Sequence, residues 1–318
     1  LKVRLKRNGV ETDVVNSYAA MRKFSYKRDA DGAVRMQLNN KNLFQFGPLD
    51  QGWWPDGLYT APTDEALIYD IQKTKDFGFN MIRKHVKVEP ARWYTHCDRM
   101  GIIVWQDMPN GDKMHEWNQR DYFTGADLTR TPQSEAIYRK EWKEIMDYLY
   151  SSPCIGVWVP FNEGWGQFKT EETAQWTKQY DSTRLVNAAS GGNHYPCGDM
   201  LDIHSYPGPE PFLYDAQRVN VIGEYGGIGY VVEDHVWEAD RNWGYIRFNT
   251  SEEVTDEYVK YAKELKKLVL KGFTGAVYTQ TSDVEIEVNG LMTYDRKVIK
   301  VNEQRIREIN LDICNSLK

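Results

Sequence analysis

The chain has 318 residues, with 40 Lys or Arg against 46 Asp or Glu, for a formal net charge of −6. That length admits one large domain or two ordinary ones, and the acidic balance argues against nucleic acid or an anionic membrane surface as the main partner. No apolar run is long enough to span a bilayer, while an aromatic content of 13%, with 11 Trp and 20 Tyr, suits a cleft that stacks on sugars. Cys97, Cys154, Cys197 and Cys314 form no CxxC pair and are expected as unpaired thiols. The six histidines show no HExxH spacing, so neither a metal nor another cofactor is expected. The sequence begins at Leu1, as in a processed or excised segment, and leaves the compartment open.

Residues 1–40 read as β-structure: alternation over Leu1 to Leu5, a hairpin turn at Asn8-Gly9, a return over Val10 to Val15, then short strands over Ser17 to Tyr26 and Val34 to Leu38. From Leu43 the rhythm becomes strand, loop, helix. Strands are expected at Leu43–Phe46, Asn80–Arg83, Ile102–Trp105, Ile155–Val159, Arg184–Asn187, Leu201–Ile203, Val219–Gly223 and Thr274–Tyr278. Between them, Thr63 caps a helix that Gly78 ends, and a second runs from Ala91 to Arg99 with Gly101 as its stop. Trp142, Ile145, Met146 and Leu149 mark the apolar face of a third. Further helices are expected near Glu171–Tyr180, Pro211–Ala216, Val254–Lys271 and Lys297–Ile309. Eight strands interleaved with helices, each strand followed by polar and aromatic residues, favour a (β/α)8 TIM barrel at 41–318 over a doubly wound sheet.

Two stretches carry the chemistry. Ile155 to Val159 is an unbroken apolar run that delivers Asn162, Glu163, Gly164 and Trp165, and Val219 to Gly223 delivers Glu224, Tyr225, Gly226 and Gly227. Carboxylates at the C-terminal ends of two buried parallel strands can converge on one pocket. Glycoside cleavage needs such a pair, one group protonated to assist the leaving oxygen and the other ionised to attack the anomeric carbon.

The runs NMIRKHVKVEPARWYTHCDRMGIIVWQDMP, FNEGWGQ, HSYP, GEYGG and YTQTSDVE with NGLMTYDR resemble the catalytic barrel of glycoside hydrolase family 2, which includes β-galactosidases, β-glucuronidases and β-mannosidases. The likeness covers about residues 40–312, and residues 1–40 look like the tail of the immunoglobulin-like β-sandwich domain that precedes such barrels. The resemblance implies a retaining β-glycoside hydrolase, β-galactosidase-like, acting on an oligosaccharide or other glycoside and working beside accessory β-sandwich domains. Glu163 is then the acid/base, kept protonated by the nearby charge of Glu224, and Glu224 is the nucleophile. Asn162 is placed to bond the sugar 2-hydroxyl, Arg83 to hold Glu224 ionised, and Tyr206 to hydrogen-bond Glu224. His85, Asp107 and His204 are candidates to read hydroxyls, and Trp54 and Trp165 to stack on sugar faces.

Departures leave the sugar open. GPLDQGWWPDG replaces a histidine-rich turn after the first strand, so Asp50, Gln51 or Trp54 must fill that space. RKHVKVEP stands where RxSHYP is usual, and Tyr278, Thr279 and Gln280 stand where a Trp ends the eighth strand. WQDMP resembles the mannosidases, and no Asn-x-Lys element follows the eighth strand. A catalytically disabled, carbohydrate-binding barrel is the competing reading. A phosphate-handling barrel fits less well, because Glu224 beside Gly226 and Gly227 would repel phosphate.

Overall fold

The computed structural model describes residues 1–317. It opens with a hairpin of β1 (Lys2–Arg7) and β2 (Val10–Asn16), in which Asn8 and Gly9 both take the positive φ that a tight two-residue turn requires. Nearly all of its side chains are exposed. A second antiparallel sheet follows, β3 (Phe24–Arg28), β4 (Val34–Leu38) and β5 (Lys41–Asn42).

The rest alternates: β6 (Gln45–Asp50), α1 (Asp64–Asp76), β7 (Met81–Lys84), α2 (Ala91–Met100), β8 (Ile103–Asp107), α3 (Pro132–Leu149), β9 (Ile155–Val159), α4 (Thr170–Tyr180), β10 (Leu185–Val186), β11 (Met200–Ser205) and β12 (Val219–Gly226). A short parallel pair, β13 (Ile228–Gly229) and β14 (Ile246–Arg247), precedes α5 (Ser251–Leu270), β15 (Phe273–Thr279) and α6 (Glu303–Cys314). Eight strands join in the order β10-β9-β8-β7-β6-β15-β12-β11, all parallel. The two end strands meet across a seam closed by Asp199 N to Val186 O at 2.8 Å and Gly191 N to Asp202 O at 3.0 Å. The result is the expected (β/α)8 barrel, nearly closed.

Three apolar clusters hold it. The interior packs Leu49, Met81, Trp105, Val157, Val221 and Val277, and Phe24, Val34 and Met36 of the β3–β4 hairpin join them, so that hairpin plugs the N-terminal mouth. Outside, one cluster lies under α1, α2 and α3 and another under α5 and α6. The stripe predicted on α3 is buried at Trp142, Met146 and Leu149, each contributing roughly 1.5–3 kcal/mol by leaving water. Thr63, Thr131, Thr250 and Asn302 each accept a backbone N–H at a helix start.

Several boundaries differ from expectation. The first strand runs to Asp50 through Gly47-Pro48, a pair that reads as a turn. Gly47 passes so close to β7 that a Cβ would come within 1.8 Å of Met81 O. β8, β11 and β12 run on through polar residues, so Asp107, His204 and Glu224 are strand residues rather than loop residues. No helix forms over 211–216; Asn220 instead hydrogen-bonds both N and O of Asp215, an arrangement that competes with a helix. The last helix begins after Asn302, not at Lys297, because residues 298–300 stay extended to bring Lys300 into a buried ion pair with Asp283 at 2.7 Å.

Candidate active site

Polar groups gather at the C-terminal mouth of the barrel, and Arg83, next to last in β7, ties several of them together. Its guanidinium donates to Asp107 through two contacts, at 3.1 and 2.9 Å, to Asn162 Oδ1 at 2.8 Å and to Glu224 Oε1 at 3.1 Å. Burial opposes its charge, but Asp107 and Glu224 outweigh that and hold it firmly protonated. Asp107 is likewise fully buried, yet Arg83 and His85 keep its carboxyl below the usual range. His85 Nδ1 lies 3.0 Å from Asp107 Oδ2, and this hydrogen bond ties both side chains into the cluster.

Glu224, within β12, is held from the other side by Tyr206, whose hydroxyl donates to Oε2 at 2.8 Å and also contacts Thr279 at 2.6 Å. Tyr206 stacks face to face on Tyr245 at 3.6 Å between ring centres. Glu163 sits in the turn after β9 with φ 48°, a left-handed conformation that a side chain with a Cβ adopts only at a cost. Its N–H bonds Ser190 O at 3.0 Å, which anchors the turn to the loop that follows β10. His204 Nδ1 lies 2.8 Å from Glu163 Oε1 and 3.4 Å from Glu224 Oε2. Oxygens of the two glutamates come within 4.8 Å of each other. That approach is of the order of the separation of about 5–5.5 Å between carboxyl groups that a double displacement uses.

Burial raises the pKa of Glu163, while the positive charges of His85 and Arg83 pull it back. The sequence argument assigned this rise to the charge on Glu224; the structure corrects that, since Arg83 is paired with Glu224 and desolvation leads. Burial also lowers the pKa of His204, against the carboxylates of Glu224 and Asp202. The donor atoms of Glu163, His204 and Glu224 are spaced as a divalent cation would need. They are already committed to one another, to Arg83 and to Tyr206, and the guanidinium beside Glu224 opposes a second cation.

Of the expected site residues, Glu163, Glu224, Asn162, Arg83, Tyr206, His204, Asp107 and His85 come together here. Trp165 lies two residues after Glu163 in the same turn and is 48% exposed. Trp54 does not join: it is 7% exposed and packed in the core beneath α1 and α2, with the Arg296 guanidinium 4.2 Å from its ring centre. Asp50 pairs with Lys84, which also bonds Glu89, and so braces the strand ends. Sequence reasoning missed Ser190, Asp202, Thr279 and Tyr245. It also missed a ring of hydrogen bonds joining Gln51, Gln280, Asn289 and Glu287. Of these, Gln51, offered for the space after the first strand, and Thr279 and Gln280, standing at the end of the eighth, carried a positional signal. A separate cavity of about 910 Å³ lies against β3–β5 and is lined by none of these residues.

Residues 36–209, more than half of the chain, match Glycosyl hydrolases family 2, TIM barrel domain. Among curated proteins, the β-galactosidase of Leuconostoc mesenteroides is 24% identical over 201 residues, 63% of this chain and 18% of that protein. The β-galactosidase of Photobacterium profundum is 26% identical over 168 residues, 52% of this chain and 15% of that protein. The chain therefore spans less than a fifth of the length of these relatives. Among solved structures, the β-glucuronidase of Ruminococcus gnavus superposes with a TM-score of 0.71 at 14% identity, over 97% of this chain and 57% of that one. The β-galacturonidase of Eisenbergiella tayi does so with a TM-score of 0.66 at 15% identity, over 94% and 55%. At such identities these structures speak to the fold, while the profile match speaks to descent: the chain belongs to glycosyl hydrolase family 2, whose TIM-barrel domain it carries.

Proposed function

We propose that the chain is the catalytic barrel of a retaining exo-β-glycosidase of β-galactosidase type. The observation that carries the reading is the pair Glu163 and Glu224, with oxygens within 4.8 Å, the acid form of Glu163 favoured by burial and Glu224 ion-paired to Arg83. Glu224, held by Arg83 and Tyr206, attacks the anomeric carbon as Glu163 gives its proton to the departing glycosidic oxygen. Water then attacks the glycosyl–Glu224 ester, Glu163 takes the proton from that water, and the free sugar leaves. Asn162, fixed by Arg83, is placed to bond the 2-hydroxyl as the oxocarbenium character grows.

A neutral sugar suits the surroundings better than a uronic acid. Glu287 is held at the mouth by Gln51 and Asn289, and its charge, with those of Glu163 and Glu224, acts on Tyr245. A third acidic group beside the pocket repels a sugar carboxylate. The curated relatives named β-galactosidase support galactose among neutral sugars.

The test is a panel of nitrophenyl β-glycosides on the full-length protein. The β-galactoside should turn over. Glu224→Gln should abolish activity, and Glu163→Ala should keep only activated substrates, accelerated by azide. No turnover of any β-glycoside would refute the reading.

A further inference from the structure

Behind Glu163 runs a buried line of polar groups: His204, then Ser190, then Asp202. Its donors and acceptors can be counted. His204 Nδ1 faces carboxylate oxygens of Glu163 at 2.8 Å and Glu224 at 3.4 Å, so it carries a hydrogen. His204 Nε2 faces Arg83 Nη1 at 3.4 Å, a group that only donates, so Nε2 is an acceptor. Ser190 Oγ lies 2.8 Å from Nε2 and meets that lone pair by donating its single proton there. Its oxygen is then left with lone pairs toward Asp202 Oδ2 at 2.6 Å, and the hydrogen in that contact must come from Asp202. Asn187 Nδ2 donates to the same Oδ2 at 2.5 Å.

A second observation agrees. Asp202 Oδ1 is buried with no hydrogen-bond partner and lies against Gly223, where a Cβ would come within 1.9 Å of it. A charged oxygen walled in without a donor carries a heavy desolvation cost; the carbonyl oxygen of a neutral acid carries far less.

We propose that Asp202 is a resident protonated acid, and that the line Asp202–Ser190–His204 locks the imidazole as the neutral Nδ1–H tautomer that serves both catalytic carboxylates. Burial acts in the same sense on both ends, raising the pKa of Asp202 and lowering that of His204. The charged and titratable groups facing the imidazole are Arg83, His85, Glu163, Glu224 and His194, and the last is itself driven neutral, chiefly by burial, to a pKa of about 3. On the glycosidase reading, on which this role rests, the negative charge moves from Glu224 to Glu163 as the glycosyl ester forms. One N–H lying between them meets the charge on either side, and in the acid form of Glu163 it occupies Oε1, leaving Oε2 to hold the proton. Ser190 and Asp202 are thus positioning residues.

The discriminating variant is Asp202→Asn in the full-length protein, because an amide N–H reproduces toward Ser190 the donor of a protonated acid, and Asn187 can turn its otherwise unpartnered Oδ1 to accept from the same NH2. We expect kcat/KM within about threefold of wild type for both activated and poor leaving groups. The wild-type minus Asp202→Asn infrared difference spectrum at neutral pH should show the C=O stretch of a protonated carboxyl. Ser190→Ala should lower kcat about tenfold with KM little changed, and Ser190→Thr should restore it. A hundredfold loss in Asp202→Asn, carboxylate bands alone in the difference spectrum, or a Ser190→Ala enzyme with wild-type kcat would each overturn the proposal. The infrared readout needs no turnover, so an inactive protein that shows the acid band removes the glycosidase reading and leaves the protonated Asp202 in place.

Discussion

Arg83 shows how one buried cation organises four strand ends: it is paired with Asp107 and Glu224 and donates to Asn162, with no exposed surface. Such an arrangement stabilises little by itself, because desolvation offsets most of the attraction, but it fixes geometry. Glu163 has the opposite character, an acid whose burial favours the neutral form. Since its pKa is raised on folding, the folded state binds that proton more tightly than the unfolded chain. Its contribution to stability is present below the ordinary glutamate pKa and is lost as pH rises through the raised value. Glu163→Gln should therefore be more stable than wild type at pH 7, by roughly 1.4 kcal/mol for each pKa unit of the shift. The two should converge near pH 4, with urea unfolding midpoints at both pH values as the check. The catalytic candidates were legible because each follows or ends an apolar run. Ser190 and Asp202 were not: Asp202 interrupts a short strand and reads as one polar residue in a buried segment, and Ser190 lies in a glycine-rich connection without a periodic pattern.

The elements themselves followed hydrophobic periodicity, and α2, β9 and β4 fall within a residue of expectation. Where local chemistry and tertiary packing disagree, packing wins. β6 carries Gly47-Pro48 in the middle of the barrel sheet, against the local preference for a turn, because Gly47 permits the backbone of β7 to approach. Gly47→Ala should accordingly cost about 3 kcal/mol or more, since the clash is with the backbone of β7 rather than with a flexible side chain. Thermal unfolding measures it directly, and an unchanged midpoint would show that β6 and β7 separate freely. The overextended polar ends of β8, β11 and β12 teach the same lesson: neighbours, on both sides of β8 and β12 and on one side of β11, keep pairing the backbone after the apolar run has stopped.

At the scale of the whole molecule, the barrel is sealed at one mouth by Phe24, Val34 and Met36 and keeps its polar groups at the other. Among the described residues no helix is long and apolar enough to cross a membrane. We propose that residues 1–40 are the tail of a preceding β-sandwich and its linker strands, the β3–β4 hairpin being the part that plugs the barrel, and that the rest of the sandwich would cover the exposed Val3, Leu5 and Val15 of the first hairpin. The two barrel strands beside the seam, β10 and β11, share no backbone ladder; two isolated backbone contacts and the side chains of Asp199, Asn187, Ser190 and Asp202 stitch them. Amides of residues 185–187 should consequently exchange with deuterium faster than those of 221–223 by at least tenfold, which mass spectrometry of peptides resolves. A cylinder laced along one side breathes along that side. Because the lacing threads include the very carboxyl that reaches the His204 imidazole through Ser190, loosening of the wall and disturbance of the proton arrangement are one mechanical event, and on the proposed glycosidase reading heat should silence turnover before the chain unfolds.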